Sequence, residues 1–164
     1  MEMAQNQPIP WENRKELGII KALWETAKLV LFKPTEFFSN LEIKDSYSSP
    51  FYFFFINFFC QYLVQVLFLI LFRNKGVGGN FLVFGITLVL VPLLLGPLSI
   101  FIGTGLVHLG VLIFRGRGGF KGTFNVLAYA SIAGVFYIIP FIGPLIGMAW
   151  VIGIIVIGFK KIHN

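Results

Sequence analysis

From position 81 to position 114, "FLVFGITLVLVPLLLGPLSIFIGTGLVHLGVLIF", thirty-four consecutive residues carry no formal charge. A bilayer core about 30 Å thick takes roughly twenty such residues per helix. Read as one straight helix, the run is about 51 Å long, so it must tilt, protrude or break. Pro92, Gly96 and Pro97 mark where a kink or break falls. Both readings, one long kinked span or two segments parted near Gly96, fit the residues. Composition agrees with a membrane solvent: 57% of residues are hydrophobic and 12% charged, against about 25% charged in soluble domains.

Three further apolar stretches flank this run. Residues 50–72, "PFYFFFINFFCQYLVQVLFLILF", hold no charge and match one crossing. Asn57, Gln61 and Gln65 recur there every four residues and form a polar ridge. In lipid such a ridge turns toward other helices, and interhelical hydrogen bonding is its expected role. "RNKGVGGN" at 73–80 reads as a turn. Residues 124–139 and 142–159 are short apolar stretches divided by "PFIGP", which predicts a tight helical hairpin. Small residues recur at packing distance in Ala130/Gly134, Gly143/Gly147 and Ala149/Gly153.

The first fifty residues differ in character. Residues 1–10 are polar with two prolines and predict a flexible tail; 11–49 predict a cytoplasmic helix and linker. Within 11–32, Leu17, Ile20, Trp24, Ala27 and Leu31 share one helical face, and Arg14, Lys21, Glu25 and Lys28 the other. Lys21 and Glu25 are spaced to pair. A basic amphipathic helix carrying tryptophan suits the membrane surface, although the same face could instead pack on protein. Lys33-Pro34 ends the helix, and Phe37 and Phe38 are expected to dip into the interface. The N-terminus lacks the pattern of a removable leader, so the first span is expected to act as an uncleaved insertion signal.

The thirteen basic residues choose among topologies. With one crossing over 81–114 there are four net crossings. Arg14, Lys15, Lys21, Lys28, Lys33, Lys44, Arg115, Arg117, Lys121, Lys160 and Lys161 then share one side, opposite Arg73 and Lys75. Two crossings there would divide them six against seven. The positive-inside rule favours the first arrangement, with both termini cytoplasmic. The lack of a leader fits a bacterial inner membrane.

Function is narrowed mainly by what the apolar part lacks. All seven carboxylate side chains precede position 46. Intramembrane proteolysis by aspartates, and cation or proton coupling through Asp or Glu, have no residues to work with. Cys60 is the only cysteine, so neither an intrachain disulfide nor a cysteine zinc site can form. His108, with Thr104 one turn earlier, is the one strongly titratable group inside the apolar runs. It suits a helix-to-helix hydrogen bond better than catalysis or a metal site. Ser99 and Ser131 sit in no motif that would make either a nucleophile. "GRGGFKGT" lacks the spacing of a phosphate-binding loop and follows a membrane span rather than a strand. No cofactor and no nucleic acid is expected. The basic turn is first a topology signal. Beyond that, Arg115, Arg117 and Lys121, with Lys21 and Lys28, are the candidates for binding lipid, anionic lipid above all, or a partner protein. A second copy of the chain, giving a homo-oligomer, is the other candidate partner.

The second half carries a family pattern. "GTGLVHLGVLIF", the turn "GGFKGTF" and then "NVLAYASIAGVFYIIPFIGPLIGMAWVIGIIVIGFKKIH" resemble the Yip-domain family of multi-span membrane proteins. "WETAKLVLFKPTEFF" looks like the lead-in of prokaryotic members, so the resemblance runs over about 24–163. At the two positions after "YAS" where many members have proline, this chain has Ile132 and Ala133. The resemblance implies a helical integral membrane domain over 50–164. It also implies, for eukaryotic members, vesicle traffic, Rab GTPase binding and membrane shaping. The expectation is therefore an all-α integral membrane protein: an amphipathic interfacial helix and four crossings, acting without catalysis as a scaffold or adaptor. The alternative is a small channel or transporter with a polar path along Asn57, Gln61, Gln65, Thr104 and His108.

Overall fold

The computed structural model describes residues 8–71, 81–139 and 141–163. Most of the predicted tail, the 73–80 turn with Arg73 and Lys75, and Pro140 lie outside the described residues. Seven α-helices follow in order: α1 (Arg14–Leu17), α2 (Ile19–Phe32), α3 (Pro34–Ser39), α4 (Ser48–Leu71), α5 (Phe81–Ile113), α6 (Gly119–Ala130) and α7 (Gly143–Ile162). A 3-10 segment, Ser131–Ile138, continues α6. Three stretches are long and apolar enough to cross a membrane: Ser48–Phe68, Pro92–Ile113 and Gly143–Ile162.

The 81–114 run is one helix. α5 passes both Pro92 and Pro97 without a break. A proline removes one backbone donor and crowds the preceding turn. Here the turn around Pro97 is supported from within, because the Ser99 hydroxyl donates to the Gly96 carbonyl at 2.7 Å. Gly96 is needed for a second reason: a Cβ there would stand 2.6 Å from the Phe58 ring of α4.

α6 is the centre of the molecule. Gly122 to Val126 and Ala128 to Ala130 are all buried, and α4, α5 and α7 pack around them. A helix enclosed on all sides needs neither charge nor a polar stripe; its Asn125 amide turns back onto the Lys121 carbonyl at 2.9 Å. At Ser131 the chain tightens to the 3-10 form, with the Ser131 hydroxyl donating to Ala128 O at 2.7 Å. The bend thus falls at the "YAS" element without proline. Ile139 is extended and Phe141 takes a left-handed φ of 64°. α7 then returns antiparallel, with Gly143 against the Phe136 carbonyl and Gly147 against Tyr137. The first arm of the hairpin therefore starts at Gly119, earlier than the apolar pattern alone places it.

The N-terminal segment differs from expectation in four ways. The helix over 11–32 is broken at Gly18, whose φ of 80° lies where only glycine is unstrained. α2 turns Ala22, Thr26, Ala27 and Val30 inward, so the face that packs on protein is not the large apolar one, whose Ile20 and Trp24 stay 85% and 63% exposed. Small side chains let α2 approach the hairpin closely, which the large ones would prevent. Glu25 pairs with Lys28 at 2.8 Å rather than with Lys21. Finally, the expected polar linker contains α3, whose Phe37 and Phe38 are buried in the core. Phe37 stands edge-on to Tyr129, their centroids 4.9 Å apart, and the Phe38 ring lies beside Gly158.

Two contacts put the ends of the chain together. Arg117 N–H donates to the His163 carbonyl at 3.1 Å, and Lys121 pairs with Asp45 at 2.9 Å. Asp45, the 115–121 turn and His163 thus share one end of the bundle.

Candidate functional site

α5 ends in a Schellman cap: Gly116 N–H reaches Val111 O at 2.9 Å and Arg115 N–H reaches Leu112 O at 3.0 Å. The left-handed residue of such a cap is usually glycine. Here it is Arg115, at φ 58°. Gly116 follows at once, so a strained arginine stands where the neighbouring glycine would have been free of strain.

The glycines of the turn serve the C-terminus. A Cβ on Gly116, Gly118 or Gly122 would collide with Val111, the Ile162 carbonyl and the Ile162 side chain respectively, and the His163 ring lies close to all three. That ring is only 8% exposed. Gly118 N–H donates to His163 Nδ1 at 3.0 Å. The neutral ring therefore carries its proton on Nε2 and donates it to Thr123 Oγ1 at 3.2 Å. Thr123 in turn lies 2.8 Å from His108 Nδ1. A chain of hydrogen bonds, His163 to Thr123 to His108, thus joins α7, α6 and α5. Burial, and then the neighbouring His108, hold the His163 imidazole below its ordinary pKa. Protonation at Nδ1 would turn an acceptor into a donor facing the Gly118 N–H, so the fold selects the neutral form.

The predicted basic cluster divides into paired and unpaired groups. Lys121 is held by Asp45, whose carboxyl is depressed by that hydrogen bond. Lys28 is held by Glu25. Arg115, Arg117, Lys160 and Lys161 are exposed, and none of them is in an ion pair among the described residues. Lys21 is exposed as well, on α2.

The predicted intramembrane polar residues do not form one line. Asn57 and Gln61 both donate to Ser131, to its hydroxyl at 3.3 Å and its carbonyl at 3.1 Å. They satisfy the backbone where α6 becomes 3-10, and Gly134 leaves room for the Gln61 amide. Gln65 is exposed. The Thr104 hydroxyl turns back to Ile100 O at 2.7 Å and does not meet His108. Of the small-residue pairs, Ala130/Gly134 and Gly143/Gly147 lie at contacts, whereas Ala149 is exposed and Gly153 faces open space. Thr123 lies in the second turn of α6.

Two groups escape a reading of the sequence. One is His163, whose partner sites are the unexplained glycines of the turn. The other is Tyr129, fully buried, whose hydroxyl reaches the Glu12 carboxylate at 3.1 Å. Burial alone would raise the Glu12 carboxyl. Hydrogen bonds from Lys44, Ser49 and Tyr129, with the Lys44 charge, outweigh it and hold the carboxyl below its usual value. This pin fastens the N-terminal segment to the centre of the bundle.

A bundle of long apolar helices defines an integral membrane protein. The Yip1 domain model matches residues 28–164, and the chain belongs to that family. No curated protein and no solved structure matches the chain.

Proposed function

We propose that the protein is a non-enzymatic scaffold or adaptor, organising lipids or partner proteins at the cytoplasmic face of a cell membrane. The observation that carries this reading is the convergence of the exposed, unpaired Arg115, Arg117, Lys160 and Lys161 at one end of the bundle. Apposed to lipid headgroups, such cations gain most by meeting phosphates. Four net crossings follow if α6 and its 3-10 extension count as one arm. Twelve residues of α-helix and eight of 3-10 helix rise about 34 Å together. The contact between Arg117 and His163 supports this count, because α7 must return to the end from which α6 departs. Exposed Ile20 and Trp24, with Lys21 and Lys28 beside them, suit α2 to the interface.

The test is native mass spectrometry of the protein taken from its own membrane in nanodiscs. Wild type is compared with a variant carrying Arg115→Ala, Arg117→Ala and Lys121→Ala. The reading expects a lipid or protein species bound to wild type to be lost from the variant. Identical bound species in both would reduce the turn to a topology signal.

A further inference from the structure

Beside the His163 latch lies a groove of about 470 Å³ between the ends of α5 and α7. Its volume falls within the usual range for small-molecule sites, about 300–1,000 Å³. Val107, Gly110 and Val111 of α5, with Phe114 just after it, line one side and Phe159 of α7 the other; Lys160 and His163 stand at its polar end. Arg115 and Arg117 flank Gly116, which also lines it. The mouth is continuous with an apolar surface made by Leu106, Leu109, Ile113 and Phe114, which are 60% to 88% exposed. Acyl chains meet such a surface in a bilayer.

We infer that this groove binds one anionic glycerophospholipid, an acyl chain lying along Val107, Gly110 and Val111 and the phosphate meeting Lys160 and Arg115. The commitment to an anionic lipid rests on charge. Among the described residues the cations at the rim have no carboxylate partner, and no Asp or Glu follows Asp45 in the sequence. A zwitterionic headgroup would bring its own cation to the same place. One feature of the lining and one of the residue bordering it fit an occupant. A Cβ on Gly110 would meet nothing within 4 Å, so the groove is open there without any need of the fold. Arg115 holds a left-handed conformation that glycine would adopt more cheaply, so its side chain is retained against the preference of the backbone. The inference rests on the reading that this end of the bundle lies at headgroup level. It separates from the adaptor reading because Gly110→Leu leaves every cation in place, whereas the triple alanine variant leaves the groove open.

The experiment titrates phosphatidylglycerol and phosphatidylcholine of identical chains into full-length, delipidated protein, with bound lipid counted by native mass spectrometry. Wild type should retain one phosphatidylglycerol in clear preference to phosphatidylcholine. Lys160→Gln, an exposed change, should weaken phosphatidylglycerol by about fivefold, the effect of one cation near an anionic group, and leave phosphatidylcholine unchanged. Gly110→Leu should abolish retention of both while the thermal unfolding midpoint holds. Equal retention of the two lipids by wild type, or no effect of Lys160→Gln, overturns the inference. So does undiminished phosphatidylglycerol binding by folded Gly110→Leu.

Discussion

Arg115 separates stability from function at a single position. A non-glycine residue in the left-handed region costs about 1 kcal/mol relative to glycine, and Arg115 has no ion pair to offset that cost. Arg115→Gly should therefore raise the unfolding midpoint in detergent while weakening anionic lipid binding. A lower midpoint would mean that the arginine supports the fold. At Gly118 the reverse holds. A Cβ there would stand 2.6 Å from the Ile162 carbonyl, a backbone atom with little freedom to move. Gly118→Ala should cost about 1–3 kcal/mol as overpacking and expose the C-terminus to carboxypeptidase. His163 gives the latch a pH dependence. Its pKa is depressed in the fold, so the unfolded chain binds the extra proton. Its contribution is fully present above the ordinary imidazole value of about 6.5 and is lost as the pH falls toward the folded value. Carboxypeptidase release of the last residues should accelerate below about pH 6.5 in wild type, and His163→Gln should remove that step. The pattern of glycines at 116, 118 and 122 was visible in the sequence. Its cause was not, because the ring that fills the space lies more than forty residues away.

At the scale of elements, period and length identified α4 and α7 closely, since an uncharged run of span length in lipid has few alternatives. On α2 the same signal marks the exposed stripe and not the face that packs on protein. Its large apolar residues mark one stripe, but the side that packs is the one with Ala22 and Thr26, because close approach needs small groups and Trp11 N–H needs the Thr26 hydroxyl, 2.9 Å away. Periodicity reports a moment and not the identity of the surface that meets it. α3 was hidden by its polar neighbours, and the α6 to 3-10 transition by an unbroken apolar stretch in which the two forms look alike. That transition depends on Asn57 and Gln61, which reach Ser131 from α4. Gln61→Leu should cost about 0.5–1.5 kcal/mol, the range for interhelical hydrogen bonds in membranes. Reversible unfolding in mixed micelles reads this, and no loss would mean that Ser131 finds another partner.

For the whole molecule, the proposed four crossings draw on the charge asymmetry of the sequence and on the geometry of the hairpin. The positive-inside rule groups eleven cations on one side using no coordinates. The bundle brings His163 to Gly118, and Asp45 to Lys121, using no charge count. Both require the hairpin of α6 and α7 to return to its starting end. What the sequence could not supply was the packing of the N-terminal segment onto that hairpin. There Trp11, Phe37, Phe53 and Tyr129 form one aromatic cluster from four separate parts of the chain. The most direct test is cysteine accessibility in sealed membranes, in a Cys60→Ser background. Single cysteines replace Lys33, Val77, Arg117 and Lys161 in turn and are challenged with an impermeant maleimide from either side. The account predicts that Lys33→Cys, Arg117→Cys and Lys161→Cys react only from the cytoplasmic side and Val77→Cys only from the opposite side. Labelling of Lys161→Cys from the side opposite Arg117→Cys would contradict it.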